Sequence, residues 1–81
     1  MKARVHIFLK DSVFDPQGNT IAQMLRRTGF EKVHGVRMGK VIDVETTHQV
    51  AAEALSEVKK MCEKILTNPV IESYRVELME S

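Results

Sequence analysis

One thiol, three imidazoles and a glycine-flanked pair of cations are the side chains here whose types could support chemistry beyond packing. Cys62 would be a nucleophile only as a thiolate beside a base. It falls between Met61 and Ile65 in an apolar stripe, so it reads as a small core residue. His6, His34 and His48 lie far from one another and from Cys62, without the spacing of a zinc site. No carboxylate or cysteine is fixed beside any of them by sequence, and each reads as a surface histidine. Asp15 is the one acid with a defined local task, the capping of a helix. Gly35-Val36-Arg37-Met38-Gly39-Lys40 sets two glycines near two cations. It lacks the GxxxxGK(S/T) spacing of a phosphate loop and does not open a helix. Two readings stay open for it. One is a turn with solvated charges; the other is a contact site where Arg37 and Lys40 meet carboxylates or a phosphate. Catalytic, cofactor-binding and metal-ligating residues are therefore expected to be none.

The elements that would carry these residues follow from hydrophobic period. Ala3, Val5, Ile7 and Leu9 alternate with Arg4, His6, Phe8 and Lys10, which predicts a strand with one buried face. Asp15-Pro16 predicts a helix start, with aspartate as N-cap and proline at the first helical position. Ile21, Met24, Leu25 and Thr28 form its stripe, and Gly29 suits the position after its end. Val33–Met38 and Val41–Thr46 are strand candidates, either a hairpin around Gly39-Lys40 or one long strand bent at Gly39. Thr46 and Gln49 have capping-box spacing before a second helix. Its apolar face runs through Ala51, Ala54, Leu55, Val58, Met61, Cys62, Ile65 and Leu66, and Asn68-Pro69 should end it. Tyr74, Val76 and Leu78 alternate with Arg75, Glu77 and Met79 in a last strand.

The order β-α-β(β)-α-β predicts an α+β fold of two layers, an antiparallel sheet with two helices on one face, ferredoxin-like or a close variant. Residues 1–81 read as a single domain without repeats or linkers. The open sheet face would show Arg4, His6, Phe8, Arg37, Val41, Asp43, Glu45, Arg75, Glu77 and Met79. A domain this short buries only about 60% of its unfolded surface. With one cysteine and no metal spacing, oligomerisation is the expected supplement, extending or covering the sheet. A net charge of +1 with mixed signs argues against nucleic-acid and membrane surfaces. The aromatic platform of a single-strand RNA binder is missing as well. The N-terminal run lacks a signal-peptide pattern, no apolar stretch approaches 18 residues, and a cytoplasmic location is expected.

Three segments together resemble the PurS family, the small subunit of phosphoribosylformylglycinamidine synthase. They are Val13-Phe14-Asp15-Pro16-Gln17-Gly18; Gly29-Phe30 with Val36-Arg37-Met38-Gly39-Lys40; and Cys62-Glu63-Lys64-Ile65-Leu66-Thr67-Asn68-Pro69-Val70-Ile71-Glu72-Ser73-Tyr74. Their order and spacing span residues 2–79. Thr28 and Phe14 depart from the leucines usual in that family. The resemblance implies a non-catalytic subunit of a glutamine-dependent, ATP-consuming ligase in de novo purine biosynthesis. It would bridge a large synthetase subunit and a glutaminase subunit as a homodimer or homotetramer, with a role in assembly and ammonia transfer. ATP, Mg and glutamine would be used by those partners, and no cofactor by this chain. The resemblance draws attention to Gln17, Arg37, Gly39 and Lys40 as candidate interface residues. It likewise marks Asp15, Pro16, Asn68 and Pro69 as structural caps. The competing reading, from fold class alone, is a free-standing small-molecule-sensing regulatory domain.

Overall fold

A computed structural model describes residues 1–79. Strand β1 (Lys2–Leu9) is followed by helix α1 (Pro16–Arg27), β2 (Gly39–Glu45), α2 (Ala51–Met61) and β3 (Glu72–Met79). The strands form one antiparallel sheet in the order β2-β1-β3. The α+β class and antiparallel sheet expected from the sequence are both present. Central β1 sets the register: Val5 pairs with Ile42 on one side and Val76 on the other, and Arg4 with Asp43 and Glu77. Side chains alternate across the sheet. Ala3, Val5 and Ile7 therefore point to one layer and are buried against Val58 of α2 and Cys62 just after it, with Ile42, Val44, Tyr74, Val76 and Leu78 around them. Full burial of a side chain such as Val58 contributes about 1.5–3 kcal/mol.

Four local expectations change. Residues 33–38 form no strand, so neither the hairpin nor the bent strand exists; pairing with β1 begins only at Gly39. Gly39 lacks the positive φ of a turn residue, which among the described residues belongs to Gly29 alone, just past the end of α1. The Thr46–Gln49 capping box is absent. α2 begins at Ala51, after Val50, which makes no side-chain cap bond, and Glu53 in the first turn complements the helix dipole. Finally, α2 runs into a wide π-type turn over Cys62–Leu66. The Thr67 N–H and hydroxyl both donate to the Cys62 carbonyl, at 3.0 and 2.8 Å. An i→i+5 turn advances the face by more than an α-turn. Thr67 thus returns to the interior, and Ile65, expected in the stripe, stands 82% exposed.

The two helices are unequal. α2 covers the sheet, as expected; α1 makes little contact with it. The extents of 49 × 27 × 14 Å and a radius of gyration of 16.2 Å describe a drawn-out body. A compact chain of this length would have a radius near 12 Å. Among the described residues, no helix is long and apolar enough to cross a membrane.

Candidate functional site

The three motif segments, remote in sequence, meet at one end of the sheet. Asp15 builds the meeting point. Its backbone is extended (φ −113°, ψ 93°) and caps α1, with Pro16 in the first turn. One carboxylate oxygen accepts the Gly18 N–H at 2.9 Å, and the other accepts the Met38 N–H at 2.6 Å. A single buried side chain thus ends one segment and fastens the next. Those two backbone donors, Met38 first and then Gly18, hold the Asp15 carboxyl below the usual carboxylate range, with Arg37 adding a favourable charge.

Small residues let the segments touch. A Cβ placed on Gly18 would lie 2.3 Å from the Val36 carbonyl oxygen. The face of α1 that is buried is Gly18 and Ala22, while Met24, expected in the stripe, is 59% exposed. Residues 33–38 lie along that face, with side chains standing in for a strand partner. Arg26 donates through Nε to the Val33 carbonyl and through Nη2 to the His34 carbonyl, both at 3.0 Å. Arg37 donates through Nη2 to the Lys10 carbonyl at 3.0 Å, so it is not on the open sheet face where it was expected. Gly39 then enters β2 opposite Phe8, and a Cβ there would approach the Ile7 carbonyl oxygen to 2.9 Å.

Of the candidate contact residues, Gln17, Gly39 and Lys40 surround one open cavity of about 310 Å3, with Phe8, Met38 and Glu72. Arg37 lines a different groove, with residues 33–36 and α1. Lys40 Nζ lies 3.9 Å from a Glu72 carboxylate oxygen, and the other Glu72 oxygen accepts the Asn68 N–H at 2.7 Å. Asn68 and Pro69 follow the helix end at Leu66 instead of making it. The Asn68 side chain accepts from Val70 N–H and its carbonyl from Ile71 and Glu72, so it shapes the turn into β3; it has no left-handed φ. Arg26 and Glu72 were missed in the sequence. Arg26 lies outside the motif segments and its partners are backbone carbonyls; Glu72 lies within the third segment, but its partners, Lys40 and the Asn68 N–H, are set by the fold.

The nucleophilic and basic side chains lie elsewhere. Cys62 is buried, and burial pushes its thiol up, away from thiolate character. His6 lies on the open face, 3.9 Å from Glu77. His48, read as an unpartnered surface group, meets Glu57 at 2.5 Å and lies 3.8 Å from Glu53. The open face carries an ion-pair row, with the Arg4 fork on Asp43 at 2.9 and 3.2 Å and Lys2 at 3.6 Å. Phe8 and Val41 are exposed beside it.

Residues 2–80 match the family model PurS, phosphoribosylformylglycinamidine (FGAM) synthase. The phosphoribosylformylglycinamidine synthase subunit PurS of Bacillus subtilis (strain 168) is 40% identical over 79 residues, covering 98% of this chain and 93% of that one. The crystal structure of Methanocaldococcus jannaschii PurS superposes with a TM-score of 0.83 at 41% identity, covering 98% of each chain. That protein is one of the subunits of formylglycinamide ribonucleotide amidotransferase in the purine biosynthetic pathway. A chain in the structure of PurLQS from Thermotoga maritima matches with a TM-score of 0.85 at 37% identity, over 94% of this chain and 93% of that one. The chain belongs to the PurS family of phosphoribosylformylglycinamidine synthase subunits.

Proposed function

We propose that the chain is the non-catalytic adaptor of its synthase, bridging the large synthetase subunit and the glutaminase subunit and contributing to ammonia transfer between them. The observation that carries this reading is the convergence of the family's motif segments on one exposed corner, where backbone and charge are laid out for contact. Gln17, Lys40 and the Gly39 backbone form one side of the corner, and Arg37 the other. ATP, Mg and glutamine are handled by the partners. The drawn-out shape, the two edge strands and the exposed Phe8 and Val41 support a homo-oligomer that covers part of the sheet. Family membership favours this reading over a free-standing small-molecule sensor.

Sedimentation of the chain mixed with the two larger subunits tests it. The wild-type chain should enter one complex with both. The double variant R37A/K40A should keep the packed sheet and α2, because neither side chain lies in that core and exposed charges contribute about 0–1 kcal/mol each, and should assemble more weakly. Unchanged sedimentation of the variant would remove these two residues from the interface.

A further inference from the structure

On the Arg37 side, α1 and residues 33–37 line an open groove of about 700 Å3, distinct from the cavity of Gln17, Gly39 and Lys40. Its apolar lining is Phe14, 69% exposed, with Ala22, Val33 and Val36. Arg26, Arg37 and His34 line its rim. Asp15 is the one carboxylate in the lining, and both its oxygens already accept backbone N–H groups. The two guanidiniums are held in place by the carbonyls of Val33, His34 and Lys10. Each keeps further N–H donors of its fork for a carboxylate, with little ordering left to lose. The wall has a backbone of its own to offer. The N–H groups of Gly35, Val36 and Arg37 have no partner among the described residues. Such donors can bond the backbone carbonyl groups of a bound peptide.

Resting on the adaptor reading, we propose that this groove receives a peptide segment of a partner subunit, an apolar side chain flanked by carboxylates. The apolar side chain packs against Phe14, Ala22 and Val36. The flanking carboxylates meet Arg26 and Arg37, and carbonyl groups of the segment accept from N–H groups of residues 35–37.

Phe14 and His34 are exposed, and neither side chain makes a hydrogen bond among the described residues, so both can be changed without touching what holds the groove open. The test measures the dissociation constant of the chain for the synthetase and glutaminase subunits with F14S, H34E and H34K, and follows each fold by circular dichroism. F14S and H34E should each weaken assembly at least tenfold, with H34K matching or exceeding wild type. The H34E deficit should shrink as salt rises. If the wild type assembles and both F14S and H34E bind equally well, the groove proposal is wrong and the adaptor reading stands. If F14S alters self-association and leaves partner binding intact, the occupant is a second copy and the proposal is again overturned. If the wild type forms no complex, both readings fall together.

Discussion

Across β1 and α2 the chain buries whole side chains; across α1 and residues 33–38 it buries a glycine, an alanine and a carboxylate. The first region is held by packing, with Val5, Ile7, Val58 and Cys62 fully enclosed. The second is held by directed hydrogen bonds from Asp15, Arg26 and Arg37, while Phe14, Met24 and Phe30 stay out in solvent. Packing energy scales with buried apolar area, and hydrogen bonds yield little net stability but fix geometry. The comparison separates a half that supplies stability from a half that presents a shaped surface. On the adaptor proposal, the second half is left for partner subunits to complete.

The strongest way to break that division is Val58→Ala. It removes a side chain at the centre of the packed half, and the cost should be about 2–3 kcal/mol. Urea denaturation should show the whole chain shifting to a lower midpoint, since total stability for small domains is only about 5–15 kcal/mol. A shift confined to α1 would contradict the division.

Asp15→Asn should act more weakly and locally. The folded-state carboxyl titrates below its ordinary range. Its contribution is therefore fully present above the unfolded carboxylate value and disappears as the pH falls through the lowered folded value. The asparagine variant lacks that dependence. Its stability should change less over the acid window, and at neutral pH amide exchange should quicken at Gly18 and Met38 while β1 and α2 keep their protection. Equal acid sensitivity of the two proteins would show that the Asp15 bonds do not hold the arm.

The packed half was the legible half. Alternation over residues 3–9 and 74–79 named the buried face of β1 and β3 because a strand's period is set by backbone geometry alone. The stripe of α2 was readable up to Cys62 and failed at Ile65, since nothing in Cys62–Leu66 signals a wider turn that depends on Thr67 bonding back to Cys62. The arm was hidden for a related reason. Residues 33–38 have the β-branched composition of a strand, but the Met38 N–H finds its acceptor 23 residues away in Asp15. The sequence motifs named Gln17, Gly39 and Lys40, which do share a cavity, and Arg37, which turns to the other groove. Arg26, which braces that groove, carries no sequence signal at all.

The adaptor claim is tested most directly by the synthase reaction itself. Rates of formylglycinamidine ribonucleotide formation would be compared for the synthetase and glutaminase subunits with and without this chain, first with glutamine and then with ammonia as nitrogen donor. The expected result is that the glutamine-dependent rate requires the chain, whereas the ammonia-dependent rate depends on it far less. Equal glutamine-dependent rates in its presence and absence would contradict the account.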